Sequence, residues 1–464
     1  MNSTSTAFST LPLTPAALAN LEQLGYLQMT PIQAASLPPA LAGKDVLAQA
    51  KTGSGKTAAF ALSLLSKLNP RWFGVQALVL CPTRELADQV TIEIRRLARA
   101  EENIKVVTLC GGIALRGQRA SLEHGAHVVV GTPGRIIDHL SRDYLKLEGV
   151  NTLVLDEADR MLDMGFFDDI VTVAKQTPAT RQTLLFSATY PEGIEKLARR
   201  FMRDPAMIQL AEPVEQSLIE QRFYEVTRAN RFEAVAQALA HFRPLSTLAF
   251  CNTKLQCKEL LEYLQAQNVS VLALYGELEQ RERDLVLAQF ANRSCSVLVA
   301  TDVASRGLDI KELGAVINVD ITPDPEVHVH RIGRTARAGE SGLAISFASG
   351  NDMRYVDKIE QYQKQEATWY QLSELTPKSK APLLPPMRTL QIMGGRKEKI
   401  RPGDVLGALT SAEGGAAYTK EQIGKIQVTE FCTFVAVARD VANAACAKLN
   451  AGKIKGKSVK VRLI

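Results

Sequence analysis

The sequence lacks the features that mark membrane-spanning or disulfide-bonded secreted proteins. No run of about 18 apolar residues occurs, so no transmembrane helix is predicted. The first ten residues are polar, with neither the basic start nor the apolar centre of a secretory signal. The seven cysteines are scattered and form no CxxC pair, which argues against a disulfide framework or a zinc knuckle. We therefore expect a reducing compartment, the cytoplasm, and no membrane partner.

Excess positive charge is absent from most of the chain. The 464 residues carry 55 Lys and Arg against 49 Asp and Glu. From Met387 to Ile464 there are 14 basic and 6 acidic side chains, so the remainder is slightly acidic. This concentration predicts that the C-terminal segment binds a polyanion, most often a nucleic acid. The alternative is an ordinary solvated basic surface.

Short apolar runs alternate with helical stretches twice along the chain. Continuously apolar strands that alternate with helices are typical of parallel sheets covered on both faces, so we predict two α/β domains in tandem. The last segment has the order βαββαβ of a small α+β domain. The predicted boundaries are a first domain at 1–210, a linker at 211–216, a second domain at 217–364, a proline-rich linker at 365–386 and the small domain at 387–464.

A glycine-rich loop follows the first predicted strand and opens a helix. Its sequence, AKTGSGKT, matches the phosphate-binding pattern G-x-x-x-x-G-K-[ST], with Ala50 in place of the first glycine. Backbone amides of such a loop hold phosphate oxygens at a helix N-terminus. Lys56 would bind the β and γ phosphates, and the Thr57 hydroxyl would ligate Mg²⁺. The predicted nucleotide-binding residues of the loop are Ala50, Lys51, Thr52, Gly53, Ser54, Gly55, Lys56 and Thr57.

An acidic tetrapeptide, Asp156-Glu157-Ala158-Asp159, follows the apolar run Leu153–Leu155. Taken alone, it fits an acidic turn as well as a metal site. Ligands bind at the carboxyl ends of strands in open α/β sheets, where the phosphate loop also lies. Asp156 is therefore predicted to share the Mg²⁺ with Thr57, and Glu157 to orient or deprotonate the attacking water.

The second α/β domain has no Gly-Lys-Thr loop, so we do not expect it to hold a nucleotide alone. It carries the sequence HRIGRTAR at 330–337, with Arg331, Arg334 and Arg337 at spacings of three. That spacing predicts three guanidinium groups on one face of a helical turn, suited to gripping phosphate; the alternative is a solvated basic helix. His328 and His330 form an H-x-H pair, but no Cys or carboxylate cluster accompanies it, so a metal site is not predicted.

These motifs, in this order, resemble the DEAD-box RNA helicase family over residues 8–348. The resemblance implies two tandem RecA-like domains, ATP and Mg²⁺ as cofactors, RNA rather than DNA as partner, and local unwinding of short duplexes. The further motifs that carry it are TPIQ at 30–33, PTREL at 82–86, GG at 111–112, TPGR at 132–135, SAT at 187–189, FCNT at 250–253, Gln280 with Arg283, ATD at 300–302 and RGLD at 306–309.

The resemblance also implies roles for single residues. Phe8 would stack on adenine, Gln33 would read its edge, and Gly307 and Asp309 would contact ribose and phosphate. Catalytic roles fall on Lys56, Asp156, Glu157, His330, Arg334 and Arg337. Ser187 and Thr189 would couple the nucleotide site to RNA. The implied RNA path contains Pro82, Thr83, Arg84, Gly112, Thr132, Arg135, Thr253, Gly276 and Thr301, which contact mostly sugar and phosphate and so do not read sequence.

The sequences GGRK at 394–397, RPGDVLGAL at 401–409 and GKIKGK at 452–457 resemble the C-terminal RRM-like domain of certain bacterial members of this family. That resemblance implies recognition of a hairpin in large-subunit ribosomal RNA and a role in assembly of the large subunit. An ordinary RRM stacks bases on aromatic residues of its third strand. Here that strand, Thr433–Val437, offers Phe434 alone, with Phe431 just before it. Basic loop residues must then carry more of the contact: Arg396, Lys397, Lys399, Arg401, Lys453, Lys455 and Lys457.

Two alternatives to a ribosomal RNA helicase remain open. The protein could be a nucleotide-gated RNA clamp in which hydrolysis only times release. It could also be a general RNA chaperone or decay helicase whose C-terminal domain binds any RNA. A DNA helicase is least favoured, because the family resemblance favours RNA and its 2′-hydroxyl.

Overall fold

The computed structural model describes residues 6–50, 53–190, 192–209, 219–305, 313–335, 342–379, 381–412 and 416–464. It forms two compact units, the first with one β-sheet and the second with two. Within the described ranges, no helix combines the length and the apolarity needed to cross a bilayer. The predicted linker at 211–216 and five predicted site residues lie outside the described residues: Lys51, Thr52, Gly307, Asp309 and Arg337.

The first unit is a parallel α/β domain. Its helices are α1 (Pro15–Gln23), α2 (Pro31–Leu41), α3 (Lys56–Leu65), α4 (Arg84–Leu97), α5 (Leu115–Glu123), α6 (Pro133–Ser141), α7 (Ala158–Asp163), α8 (Phe167–Lys175) and α9 (Glu192–Phe201). Its strands are β1 (Val46–Gln49), β2 (Ala77–Leu80), β3 (Val106–Leu109), β4 (Val128–Gly131), β5 (Thr152–Leu155), β6 (Gln182–Ser187) and β7 (Ala206–Gln209). All seven strands pair in parallel, in the order β3-β4-β2-β5-β6-β1-β7.

Helices cover both faces of this sheet. Successive side chains of a strand point to opposite faces, and β2 shows the consequence. Val79 packs in a core that includes α3 and α4, whereas Leu78 and Leu80 pack in a separate core with α7 and α8. Because both faces are buried, the strands must be continuously apolar, and the predicted α/β class is confirmed.

The second unit contains a similar parallel sheet. Its helices are α10 (Arg231–Phe242), α11 (Lys254–Ala266), α12 (Gln280–Ala291), α13 (Asp302–Ser305), α14 (Pro325–Ile332) and α15 (Met353–Gln363). Its strands are β8 (Ile219–Glu225), β9 (Thr247–Phe250), β10 (Val271–Leu274), β11 (Val297–Ala300), β12 (Ala315–Asn318), β13 (Gly342–Ala348) and β14 (Trp369–Tyr370), in the order β10-β11-β9-β12-β13-β8-β14.

Strand β14 lies within the segment predicted as a proline-rich linker. Trp369 and Tyr370 pair in parallel with Phe223 and Tyr224 of β8, and the rings stand 5.6 and 5.9 Å apart. Aromatic cross-strand pairs stabilise sheets, and this pair attaches the segment to the sheet. The expectation of a linker beginning at residue 365 is therefore corrected, because the four prolines follow this aromatic strand rather than precede it.

The rest of that segment also packs on the second unit's parallel sheet domain. The Arg243 guanidinium donates to the carbonyl of Ala381 (2.8 Å), and the Ser296 hydroxyl donates to that of Leu383 (3.2 Å). Backbone groups that bond to the domain are held in place, so these residues are not a free tether.

The third sheet is antiparallel and small. Its elements are β15 (Met387–Ile392), α16 (Pro402–Thr410), β16 (Ile423–Val428), β17 (Thr433–Ala438), α17 (Ala442–Ala451) and β18 (Val461–Leu463), with strand order β16-β17-β15-β18. The predicted βαββαβ order is confirmed. Leu390 and Val435 point to the face where α16 and α17 pack, in a core with Val405 and Leu449.

The opposite face of the third sheet contacts the parallel sheet domain of the same unit. The Thr389 hydroxyl accepts a hydrogen bond from Asn292 Nδ2 (3.1 Å) and lies 2.7 Å from the Ser294 hydroxyl. Phe434, which pairs with Gln391 on this same face, is 3% exposed. RRM domains normally stack bases on this face, but here its predicted aromatic residue is buried.

Lys448 stabilises the end of α16, and its replacement by Met should loosen the C-terminal domain. The buried ammonium donates to the carbonyls of Leu409, Ser411 and Ala416. Hydrogen bonds to a charged group contribute about 1.5–3 kcal/mol, and a cation at a helix C-terminus adds to this. We expect Lys448→Met to accelerate amide hydrogen exchange in α16 about 30-fold, which corresponds to about 2 kcal/mol. Lys420→Met, on the surface of the same domain, is the control; equal exchange in both variants would contradict the assignment.

Candidate nucleotide and RNA site

The phosphate loop and the acidic tetrapeptide follow neighbouring strands at the carboxyl-terminal side of the first sheet. The phosphate loop follows β1, the residues Ser187–Thr189 end and follow β6, and Asp156 follows β5. These strands are neighbours in the order β5-β6-β1. Adjacent strands are spaced about 4.8 Å apart, so about 10 Å separates the strand ends that carry the loop and the carboxylates. A triphosphate with its cation is of a size to span that distance.

The phosphate loop depends on two glycines with positive φ, Gly53 at 88° and Gly55 at 96°. A Cβ at Gly55 would lie 2.6 Å from the amide nitrogen of Gln33, so the position also requires a small residue. Lys56 begins α3 and is buried, and its ammonium donates to the carbonyl of Ala50 (2.9 Å). The loop therefore closes on its own lysine, which places positive charge where phosphate oxygens would bind.

Gln33 contacts the phosphate loop directly. Its amide oxygen accepts from the Thr30 backbone (2.9 Å) in a capping box that starts α2, and its amide nitrogen donates to the carbonyl of Gly55 (3.1 Å). Phe8 is buried and meets the ring of Tyr26 edge-on, with centroids 6.3 Å apart. The adenine contacts assigned to Gln33 and Phe8 stay predictions.

Asp156 is a buried carboxylate, and one of its two oxygens makes no hydrogen bond. It is 2% exposed, and its Oδ1 atom has no hydrogen-bond partner. Burial raises the pKa of Asp156 to about 7, although the nearby charge of Lys56 opposes the rise. A hard cation would satisfy this oxygen, and Mg²⁺ is commonly held by one or two carboxylates together with substrate phosphates. The residues present therefore fit Mg²⁺, with the half-buried Thr57 at the start of α3 as the second predicted ligand.

Glu157 occupies a backbone conformation that side chains other than glycine seldom adopt. Its φ and ψ are both 52°, and it precedes the first residue of α7. The left-handed region costs a non-glycine residue about 1–2 kcal/mol, so the surrounding structure imposes it. The carboxylate is buried and forms an ion pair with Arg160 at 3.0 Å. The strained turn and the ion pair together hold Glu157 at the sheet edge.

Asp159 links the acidic tetrapeptide to the segment after β6. Its Oδ2 atom accepts from the backbones of Ala188 (3.1 Å) and Thr189 (2.9 Å) and from the Thr189 hydroxyl (3.0 Å). The Asp159 amide in turn donates to the Ser187 hydroxyl (3.3 Å). On the other side, the Ala50 amide donates to the Ser187 carbonyl (2.9 Å). The segment Ser187–Thr189 is thus bonded to both the acidic tetrapeptide and the phosphate loop.

The predicted RNA residues of the first unit follow the neighbouring strands β2, β3 and β4. Thr83 caps α4 by accepting from the Leu86 amide (3.3 Å). The Arg135 guanidinium donates to the carbonyl of Ile113 (2.9 Å) and to the amide oxygen of Gln118 (3.1 Å). The sheet order β3-β4-β2 brings these loops together on one half of the edge. The predicted RNA residues brought there are Pro82, Thr83, Arg84, Gly112, Thr132 and Arg135.

Sequence reasoning missed Gln118, a buried residue that positions Arg135. Its amide nitrogen donates to the carbonyl of Cys110 (2.7 Å), and its oxygen also lies 3.0 Å from Nε2 of His139. Burial lowers the pKa of His139. Nothing in the local pattern around Gln118 distinguishes it from a solvated helix residue, because its partners come from elsewhere in the chain, the loop after β3 and helix α6.

In the second unit, Arg331 of α14 bonds to residues that follow strands β9, β11 and β12. It is buried and makes two 2.7 Å bonds to the Asp302 carboxylate, one of 2.8 Å to the carbonyl of Asp320 and one of 2.9 Å to Asn252. Its guanidinium also lies 5.1 Å from the ring centroid of Phe250. The predicted Thr253 and Thr301 adjoin this network, so Arg331 supports their loops rather than facing a ligand.

The predicted alignment of three arginines on one helical face is therefore wrong. Helix α14 ends at Ile332, so Arg334 lies in the following turn and is 7% exposed. Glycine at 333 ends the helix, and the carboxylate of Asp302 draws Arg331 into the interior. The catalytic role assigned to Arg334 stays a prediction.

His328 is a core residue. Its ring stacks on Phe223 with centroids 6.1 Å apart, and its Nε2 atom lies 3.3 Å from the amide oxygen of Gln221. Burial lowers the pKa of His328 to about 3. His330, the other histidine of the H-x-H pair, is half-buried. Among the described residues, no group of three or more His, Cys, Asp or Glu is placed to hold a metal ion.

The predicted basic residues of the C-terminal domain lie on two loops that touch. The Lys455 ammonium donates to the carbonyl of Lys399 (2.6 Å) and lies 3.9 Å from the Asp404 carboxylate. All seven candidates are exposed, and they form a basic surface made of Arg396, Lys397, Lys399, Arg401, Lys453, Lys455 and Lys457.

Comparison with known families agrees with this site. The DEAD/DEAH box helicase family matches residues 30–197, the helicase conserved C-terminal domain matches residues 230–339, and a DbpA RNA binding domain matches residues 389–463. Together with the relatives below, these matches show that the chain belongs to the DEAD-box helicases. It is an ATP-dependent RNA helicase with two RecA-like domains and a C-terminal RNA-binding domain.

One relative matches over nearly the full length. The chain is 53% identical over 463 residues to the ATP-dependent RNA helicase DbpA of Escherichia coli (strain K12), covering 99% of this chain and 100% of that protein. It is 43% identical to the helicase CshA of Listeria monocytogenes, covering 78% of this chain and 71% of that one. A structure of S. cerevisiae Dbp5 bound to RNA and ADP BeF3 superimposes with a TM-score of 0.73 at 30% identity, covering 80% and 97% of the chains.

His328 should make the second unit sensitive to acid. Its folded pKa of about 3 lies below the ordinary value of 6.5, so the neutral ring contributes stability above pH 6.5 that is lost as the pH falls toward 3. We expect the free energy of unfolding to fall by about 1.4 kcal/mol per pH unit between about pH 6 and 4. Denaturant titrations followed by Trp369 fluorescence, in a Trp72→Phe background, measure it. His328→Phe should flatten the dependence, and His124→Phe, an exposed position in the first unit, should not; identical slopes would contradict the assignment.

Proposed function

We propose that this helicase unwinds short RNA duplexes next to a hairpin of large-subunit ribosomal RNA and acts in assembly of that subunit in the cytoplasm. The unwinding part of this proposal rests on one observation: the segment Ser187–Thr189 is hydrogen-bonded to both the phosphate loop and Asp159. A segment bonded on both sides transmits a change at the nucleotide to its neighbours on the sheet edge. The near full-length likeness to DbpA supports the ribosomal part.

The nucleotide chemistry follows from the charges at the edge of the first sheet. Lys56 binds the β and γ phosphates in exchange for its bond to Ala50, and Asp156 with Thr57 would hold Mg²⁺. When bound there, Mg²⁺ would supply positive charge that offsets the negative charge developing on the phosphates. Glu157, fixed by its strained turn, orients the attacking water and accepts its proton. The Asp156 oxygen that lacks a partner supports this assignment.

RNA binds along the loops that follow β2, β3 and β4. Thr83 and Arg135 contact sugar and phosphate there, and Thr253, Gly276 and Thr301 do so on the second unit. Ser187 and Thr189 couple this path to the nucleotide. Gln33 and Phe8 bind adenine, and Gly307 and Asp309 contact ribose and phosphate. Arg334, Arg337 and His330 complete the proposed catalytic residues, and the two guanidinium groups act on the transferred phosphate once ATP and RNA are bound.

The C-terminal domain anchors the enzyme through its basic surface. Seven exposed cations on two touching loops suit a folded RNA backbone. The sheet face that would otherwise bind RNA contacts the second unit's parallel sheet domain through Thr389. The loops carry exposed cations outside this contact, which supports them as the part of the domain that meets ribosomal RNA.

Glu157→Gln tests the catalytic assignment. The substitution keeps the shape of the side chain but removes its ability to accept a proton, so RNA-stimulated ATP hydrolysis should fall about 10²- to 10⁴-fold. Nucleotide affinity, measured by equilibrium titration with a fluorescent ATP analogue, should stay within about threefold because Lys56 and the loop are intact. Glu148→Gln, at an exposed position of the same unit, is the control. Unchanged turnover in Glu157→Gln would remove this residue from its role.

Deletion of residues 387–464 tests the anchor. ATPase stimulation by an unrelated single-stranded RNA should survive, while the preference for ribosomal RNA over the same RNA without the hairpin should disappear. Steady-state ATPase assays at fixed salt measure both, because salt alone shifts RNA affinity. A full-length variant with Lys453, Lys455 and Lys457 replaced by Ala separates loss of contact from loss of fold. A preference that persists in both proteins would defeat the anchoring proposal.

A further inference from the structure

One aromatic ring of the C-terminal domain is exposed. Phe431, between β16 and β17, has 61% of its surface accessible. A single exposed apolar side chain is ordinary on a protein surface. Phe431 differs because it stands on a rigid turn, beneath a lysine, and next to the basic surface.

The turn that carries Phe431 is closed by three hydrogen bonds between Thr429 and Cys432. The Thr429 amide donates to the carbonyl of Cys432 (2.8 Å), its hydroxyl donates to the same carbonyl (2.7 Å) and accepts from the Cys432 amide (3.1 Å). Side-chain bonds of this kind fix turn geometry. Glu430 and Phe431 therefore occupy the tip of a turn that holds its shape without a ligand.

A second loop is bonded to that turn. The amides of Arg396 and Lys397 donate to the carbonyls of Thr429 (2.9 Å) and Glu430 (3.1 Å). The contact requires Gly395, because a Cβ there would lie 2.5 Å from the Thr429 carbonyl oxygen. The first basic loop and the aromatic turn thus form one unit.

Lys397 lies over the ring. Its ammonium is 4.1 Å from the Phe431 centroid and 3.3 Å from the Glu430 carboxylate. Both charged side chains are half exposed, and an ion pair in that setting is weak. A phosphate can therefore replace the carboxylate at Lys397 at small cost in free energy.

We propose that Phe431 and Lys397 form a binding site for one unpaired RNA base and its adjoining phosphate. The base stacks on the exposed ring, as bases do on aromatic side chains of proteins that bind single-stranded RNA. The phosphate pairs with Lys397. This inference rests on the proposed role of the C-terminal domain as an RNA anchor, and it assigns the stacking contact that the buried Phe434 cannot make.

The surroundings favour RNA over a protein as the occupant. The ring lies beside the loop that carries Arg396, Lys397 and Lys399, so cations outnumber the one exposed carboxylate next to it, Glu430. An apolar peptide would leave those charges without partners, whereas an RNA strand supplies a phosphate beside every base. Contact with a ribosomal protein is the alternative outcome of the test.

The test uses the full-length chain and a large-subunit ribosomal RNA hairpin with 2-aminopurine at its unpaired positions. Phe431→Leu keeps an apolar side chain but removes the aromatic face, so we expect affinity to fall roughly 5- to 100-fold and the binding-induced quenching of one 2-aminopurine to disappear. Phe431→Trp should retain both. Lys397→Ala should lower the slope of log K against log salt concentration by about 1, while Phe431→Leu leaves that slope unchanged. Met393→Leu, at another exposed apolar position of the domain, is the control.

Three results would overturn the stacking site. The first is wild-type affinity and quenching in Phe431→Leu. If replacement of Lys453, Lys455 and Lys457 by Ala weakens binding in that case, the anchor stands and only the stacking site fails. The second is unchanged binding in that lysine variant as well, which removes both proposals. The third is unchanged binding of Phe431→Leu to protein-free RNA with weaker binding to ribosomal particles, which assigns the ring to a protein contact.

Discussion

The bonds from Asp159 to Ala188 and Thr189 are the constraint on which the first unit's site depends. One buried carboxylate oxygen accepts three hydrogen bonds from the segment after β6. Charge-assisted bonds are stronger than neutral ones, and a carboxylate in this position would be costly to leave without donors. Because β6 lies between β5 and β1, the segment cannot shift without changing its relation to the acidic tetrapeptide, the phosphate loop, or both.

The two aspartates of the tetrapeptide differ in how their buried oxygens are hydrogen-bonded. Asp159 is buried with its donors supplied by the protein, so it fixes structure. Asp156 is equally buried, but one of its oxygens lacks a partner and its pKa is raised to about 7. A cation at this position, as proposed for Mg²⁺, would offset the cost of burying the carboxylate.

Local sequence patterns identify the phosphate loop and the acidic tetrapeptide more readily than the residues that hold the surrounding loops in place. The phosphate loop and the acidic tetrapeptide are contiguous in sequence, and backbone geometry ties each to a strand end, so both could be recognised. Gln118 and Arg331 act through partners dispersed along the chain, and no local spacing marks them. Strands β3, β7 and β8 were missed because Thr108 interrupts the apolar run of β3, and β7 and β8 are partly exposed and carry polar residues. Strand β14 was missed because it has two residues and lies in a segment whose several prolines are typical of a linker.

In the C-terminal domain, the sheet face on which an RRM normally binds RNA packs against another part of the same unit. An RRM sheet has one face for its helices and one for RNA, but here Thr389 on the second face bonds to Asn292 and Ser294. Directional hydrogen bonds of this kind fix an orientation more strictly than apolar contacts do. In the proposed anchor, RNA binds the loops at the margin of that face, where the basic residues and Phe431 lie. Because the third sheet bonds to the second unit's parallel sheet domain, RNA held by these loops would keep a fixed position relative to that domain.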